Sequence, residues 1–433
     1  MRPVLSTLAF CAVTLQAQLT INGPMPGHTD LLEATIWMQC LGPCTAYMEF
    51  WSIDRPDSVL RTEELIGDSN KAFAMDHVMQ PVVPGTTYGY RPIVNGTRID
   101  VGQALTFTTQ PIWKFRNDPP AFSMALGSCA YINEPEYDRP GRPYGNGYGI
   151  FNAIADKRPD LMLWLGDNVY LREPDWGSRT GYLHRYTHTR STPELQRLLR
   201  STSHYAAWDD HDFGPNDGDG SFVNSALARE VFDLFWPNPT NGVPGVGGVT
   251  TTFSHLDVDF FLLDDRTFRT RSDLKTSPTA MLGAAQIDWL IKALKYSDAA
   301  FKLIAVGGQV LNDGAVFENY STYPDEQKEL LRRIEMEGIK NVVFLTGDRH
   351  FSQLSTLVFM DGRKVHDLTV SPFTSGVYSP TEINSLMVDG TLVVEQNFGT
   401  LTFTGAKNER TMKIQIFNTK GEQLWEKAIE QEK

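Results

Sequence analysis

The sequence has little cysteine, a deficit of positive charge and no long apolar run in its body. Four cysteines in 433 residues leave little scope for covalent crosslinking. Basic residues number 39 against 52 acidic ones, a net charge of −13. A surface of that sign repels phosphate backbones, which disfavours general DNA or RNA binding. It still admits a small anionic substrate, because bound cations reverse the field locally. No segment reaches the roughly 18 uninterrupted apolar residues of a membrane-spanning helix, so no transmembrane segment is expected. Internal repeats and low-complexity tracts are also missing. What is present is ordinary globular composition, 41% hydrophobic and 21% charged, in a chain long enough for two domains.

Residues 1–17 read as a signal peptide. Arg2 gives a short basic start, Val4 to Leu15 is mostly apolar, and Ala17 is a small residue at the cut. Phe10 before Cys11 argues against lipid attachment. Export is therefore expected, to a periplasmic, cell-surface or secreted location. Removal of the leader leaves Cys40, Cys44 and Cys129. In an oxidising compartment Cys40 and Cys44 are natural disulfide partners, the alternative being two buried thiols. Cys129 is then an odd thiol in need of a reason.

Residues 18–112 read as an all-β domain of immunoglobulin or fibronectin type, with alternating strands at 33–38 and 46–53. Turn signals recur at Pro56-Asp57, Pro84-Gly85 and Asn95-Gly96. Asn117-Asp118-Pro119-Pro120 reads as a linker. From 118 to 433 the rhythm becomes α/β. Apolar strands are expected at 121–126, 161–165, 205–208, 258–263, 303–306 and 342–345. Helices are expected at 146–156, 284–296 and 325–337, with a closing hairpin near Lys420-Gly421.

Chemistry-bearing residues fall where these strands end: Cys129, Asp167, Asp209-Asp210-His211, Asp264-Asp265-Arg266, Gln309 and Asp348-Arg349-His350. In an open α/β sheet, carboxyl ends of strands face one crevice. A single Asp after a strand is ordinarily a turn former. A convergence of this many carboxylates is not, since they repel unless a cation neutralises them. Tyr170, three residues after Asp167, is a packed aromatic if taken alone. Asn216 lies in a polar Asn-Asp-Gly-Asp-Gly stretch that could be a plain surface turn.

Taken in order, Gly127-Ser128-Cys129, Gly166-Asp167-Asn168-Val169-Tyr170, Trp208-Asp209-Asp210-His211-Asp212, Leu263-Asp264-Asp265-Arg266 and Gly347-Asp348-Arg349-His350 resemble the motifs of the PhoD-like alkaline phosphatases, in the calcineurin-like metallophosphoesterase group. The resemblance implies a metallophosphoesterase-type α/β sandwich preceded by a β domain. It implies hydrolysis of phosphomonoesters or phosphodiesters by a metal-activated hydroxide, with Fe3+ and Ca2+ as cofactors and Zn2+ or Mn2+ as alternatives. It further implies that Cys129, Asp167, Tyr170 and His350 ligate the ferric site with Asp167 bridging, and that Asp210 and Asp348 ligate the second. His211 and Arg266 become candidate catalytic residues. Asp209, Asn216 and Gln309 become candidates for further metal or substrate contact. Asp212 and Asp265 depart from the family pattern. The expected partner is a small or polymeric phosphate ester. Two rival readings are an exported binding module with a decayed metal site and a dedicated phosphodiesterase acting on phospholipid or teichoic-type polymers.

Overall fold

A computed structural model describes residues 21–240 and 242–433 of the chain; the expected leader at 1–17 lies outside the described residues. Two six-stranded sheets dominate the larger part. In the first, Phe122–Gly127, Leu161–Leu165 and Ser203–Ala207 run parallel, and Asn397–Thr404, Thr411–Asn418 and Gln423–Glu430 continue it antiparallel. In the second, Val258–Leu262, Phe301–Ala305, Val342–Thr346 and Lys364–Thr369 are parallel, with antiparallel Thr251–His255 and Gln353–Val358 at the edges.

The period-two alternation of strands explains how these sheets stack. Met124, Leu126, Leu163 and Leu165 of the first sheet share one core with Phe260, Leu262, Leu303 and Leu345 of the second. The intervening residues face outward onto helices. Met162 and Trp164 meet the helices Ile150–Asp156, Arg179–Arg190, Pro193–Leu199 and Ser225–Phe235. Phe261, Ile304 and Phe344 meet Ala284–Tyr296 and Pro324–Met336. The result is a helix–sheet–sheet–helix stack. Both faces of every central strand are covered, which is why those strands read as continuous apolar runs.

The N-terminal strands form two smaller sheets. Ile21–Thr29, Ala34–Cys40 and Ala74–Met79 make one; Thr45–Ser52 and Thr87–Val94 are the heart of the other. Ile36, Met38, Met48, Phe50, Tyr90 and Phe107 fill the space between them. The smaller sheet docks onto the helices of the larger part. Trp37 Nε1 donates to Leu234 O at 2.9 Å, and Arg190 stacks between Trp37 and Trp236. Cys40 and Cys44 are disulfide-bonded, and Cys129 is a buried free thiol.

Most expected elements are present within a residue or two. The helix expected from 146 starts only at Ile150, because Gly145 to Gly149 is turn, with Gly147 at φ +51°. Asn117–Pro120 is held more firmly than a free linker: Arg410 donates to Pro119 O and Pro120 O, and Lys407 N to Asp118 Oδ1.

Candidate metal centre

The candidate residues sit just beyond strand ends, on turns whose backbone is unusual. Cys129, Asp167, Asp348 and His350 all have φ between +52° and +62°. Non-glycine residues rarely occupy this left-handed region, and they cluster at sites where the surroundings impose it. Neighbouring glycines allow the turns to approach. A Cβ on Gly347 would lie 2.6 Å from Ser128 Cβ, and one on Gly307 would lie 2.4 Å from Asp209 Cγ. The short helix Asp210–Phe213 is fixed by a reciprocal cap. Asp210 N donates to Asp209 Oδ1 at 2.9 Å, and Asp209 N donates to Asp212 Oδ2 at 3.0 Å. Asp212 also accepts from Asn168 N and Val169 N, which ties the Asp167 turn to the Asp210 helix.

Around these turns opens a cavity of about 350 Å³. Asp167, Asp210, His211, Asp348 and His350 reach it, with Asn216 and Asp217 on one side. Two donor sets share it. Ligand atoms of Cys129, Asp167 and His350 lie within 4.8 Å of one another, as do those of Asp167, Asp210 and His211. Asp167 belongs to both. Tyr170 lies beneath the cavity, its hydroxyl 3.2 Å from His350 Nε2 and its ring 4.3 Å from that of His211. Cys129 Sγ is 3.6 Å from Asp167 Oδ2 and accepts from Ser371 Oγ at 3.1 Å. Of the expected ligands, Asp348 reaches the cavity but belongs to neither trio.

The electrostatics fit a cation. Burial, and then mutual repulsion, push Asp167 and Asp348 well above the usual carboxylate range. Burial and the nearby Asp167 do the same to the Cys129 thiol and the Tyr170 phenol. Asp210 alone goes down: burial opposes its charge, but His211, Arg266 and the N–H of Asp217 outweigh it. A thiol, a phenol, an imidazole and carboxylates held this close, the carboxylates in no ion pair with lysine or arginine among the described residues, are groups able to hold a metal. His211 Nδ1 is likewise buried without a hydrogen-bond partner among the described residues.

Three candidates take other places. Arg266, expected to face substrate, is fully buried and outside the cavity lining. It grips Asp209 and Glu318, with Nε 2.8 Å from Asp209 Oδ1. Asp209 is fully buried beside it, one oxygen on Arg266 and the other unpartnered among the described residues; its ligand atoms fall with those of Asp210 and Glu318. Gln309 is buried with both amide atoms engaged, to Thr369 Oγ1, Asn312 Nδ2 and Arg349 Nη1. Sequence reasoning passed over Glu318 and Tyr144. Glu318 lines the cavity from deep in the loop after Phe301–Ala305, well past the strand end itself. Tyr144 reaches His350 Nδ1 at 3.2 Å from a Pro- and Gly-rich stretch that carries no periodic signal.

A family sequence description, PhoD-like phosphatase, matches residues 250–423. Alkaline phosphatase D of Bacillus subtilis is 24% identical over 288 residues, 55% of this chain and 47% of that protein. The chain resembles the PhoD-like phosphatases. That is the resemblance expected from the motifs, and the matched span contains Asp348 and His350. The chain spans about half the length of its curated PhoD-like relative. A solved PhoD structure superposes with a TM-score of 0.72 over 94% of this chain and 92% of its own, at 16% identity. A purple acid phosphatase, PPD1 from yellow lupin seeds, gives 0.70 over 95% and 74%, at 12% identity. The last two comparisons speak to the fold, which is the mixed α/β arrangement described above.

Proposed function

We propose that this chain hydrolyses phosphate esters at a two-metal centre in the crevice. The observation that carries the reading is the pair of donor trios sharing Asp167. Cys129, Asp167 and His350 of the first trio, with Tyr170, would hold one ion; Asp167 and Asp210 of the second, with Asp348 from the cavity wall, would hold the other, leaving His211 for the substrate. A phenolate suits a strongly Lewis-acidic ion such as Fe3+, the thiolate suits iron or zinc, and a carboxylate set suits Ca2+ or Mn2+. Bound ions would supply the Lewis acidity and positive charge that phosphoester hydrolysis requires.

The chain's own residues do the rest. Asp167 fixes the spacing of the two positions. Its Oδ1 accepts from His211 N at 3.3 Å, so the His211 backbone moves with it. Burial holds the His211 imidazole below its ordinary pKa, and its Nδ1, unpartnered among the described residues, can hydrogen-bond a leaving oxygen. Arg266, committed to Asp209 and Glu318, supports the wall rather than the substrate. Arg349 is committed to Gln309, Asn319 and Glu382 in the same way. Neither guanidinium is free to clamp a phosphate, which leaves that task to the ions and His211.

The reading extends to an exported protein with a cleaved leader at 1–17, a β domain at 18–112 and a catalytic domain at 118–433. An immunoglobulin-like β domain is supported by Tyr88, whose hydroxyl accepts from Val83 N at 2.8 Å, the hydrogen bond of a tyrosine corner. Among the described residues no helix is long and apolar enough to cross a membrane. The test is metal analysis of the purified protein together with turnover of p-nitrophenyl phosphate and bis-p-nitrophenyl phosphate. Turnover of at least one ester, lost on chelation and restored by metal, is expected. Bound metal without turnover of either would favour a binding module and sink the proposal.

A further inference from the structure

The cavity has an aromatic mouth that the hydrolytic chemistry does not use. Phe317 and Tyr378 stand on one side, their rings 5.3 Å apart and nearly perpendicular at 77°. Tyr144, 43% exposed, lines the same cavity, joined to His350. Phe317 is 65% exposed and held at φ +50°, a backbone state that a bulky residue rarely adopts. An exposed ring forced outward at the lip of a site calls for a binding explanation more than an ordinary surface apolar residue does.

The mouth is also tied to the site behind it. Tyr378 N donates to His350 O at 3.0 Å, which ties the rim to a candidate ligand. The Arg349 guanidinium lies 4.9 Å from the Phe317 centroid and 5.9 Å from that of Tyr378, and its own hydrogen bonds to Asn319 and Gln309 hold it there. A fixed cation behind the rings pre-organises them, so a ligand has little rim to order on binding. Asp217 also lines the cavity, with no ion pair to lysine or arginine among the described residues, which disfavours a leaving group bearing further negative charge.

We infer that the site selects phosphate esters whose leaving group is an uncharged, planar aromatic alcohol, seated against Phe317 and Tyr378 while the phosphoryl group lies among the metal-ligand residues. The inference rests on the phosphoesterase reading above. Benzyl phosphate, cyclohexylmethyl phosphate and n-propyl phosphate separate the possibilities, because all are primary alkyl esters and differ mainly in the group that meets the rim. With the metal-loaded full-length protein, kcat/KM for benzyl phosphate should exceed that for n-propyl phosphate by about ten-fold, and that for cyclohexylmethyl phosphate by a smaller factor. Phe317→Ala should lower the benzyl-to-propyl ratio by about five-fold, and Phe317→Tyr should keep it. Equal turnover of all three esters, or a Phe317→Ala variant that loses both activities in parallel, overturns the inference and leaves the hydrolytic reading standing. Absence of turnover of every ester in protein with both metals bound overturns both.

Discussion

Two groups of buried acids lie side by side under the same cavity. Asp209 and Glu318 meet Arg266, and Glu318 meets Arg269 as well. Asp167, Asp210 and Asp348, a turn away, have no ion pair with lysine or arginine among the described residues. The first group is neutralised by the chain itself and forms a wall. The second has no such partner and, on the proposed reading, is left to a cation from outside. Carboxylate density is therefore a poor guide to metal binding. What separates the groups is whether the fold supplies its own positive charge.

The contrast is broken most sharply at Asp167. Asp167→Asn should abolish binding at both metal positions and lower ester turnover by about 1,000-fold or more, read by metal analysis and kinetics. In metal-free protein the same change should raise the melting temperature, because it removes one of several crowded acids. A variant that keeps both ions and full turnover would end the bridging assignment.

Arg266→Met asks the converse question. It leaves Asp209 and Glu318 without their shared cation and should cost about 3–5 kcal/mol of unfolding free energy in denaturant titrations, with or without metal. If stability is unchanged and only turnover falls, Arg266 faces substrate after all, as the sequence alone suggested.

Why the sequence suggested it is instructive. Arg266 follows a strand end, as Asp167 and Asp348 do, and position along the chain shows which residues approach the crevice but not which are spoken for. Glu318 was invisible for the opposite reason, since it lies far along the loop that follows Phe301–Ala305. The same limit governed the fold. Ala284–Tyr296 was legible because Ile287, Leu290, Ile291 and Leu294 repeat with helical period. Arg179–Arg190 was not, because its buried face includes Arg185, Thr189 and Arg190 beside Tyr182 and Tyr186. Arg185 is buried only by pairing with Asp175 and Glu134, partners no local window reveals.

Smaller effects come from buried polar groups that lie away from both acid clusters. His204 accepts from Trp164 Nε1 at 3.0 Å, and its Nε2 lies 3.1 Å from Leu198 O, so the folded state holds it neutral. Burial pushes its pKa down to about 3. An unfolded histidine titrates near 6.5. The unfolded chain thus takes up protons first, and the stability His204 contributes above pH 6.5 is lost as pH falls towards 3. His204→Gln should flatten the dependence of melting temperature on pH in that window. An unchanged slope would place the acid sensitivity elsewhere. Tyr88→Phe, at the β-domain corner, should lose about 1 kcal/mol with no change in turnover.

The central claim is that the unneutralised acids hold metal, and anomalous X-ray diffraction from metal-loaded crystals tests it most directly. Two peaks flanking the Asp167 carboxylate are predicted, one within bonding distance of the Cys129 sulfur and the Tyr170 oxygen. Loaded crystals with no peak beside Asp167, or with the only peak beside Glu318, would contradict the account.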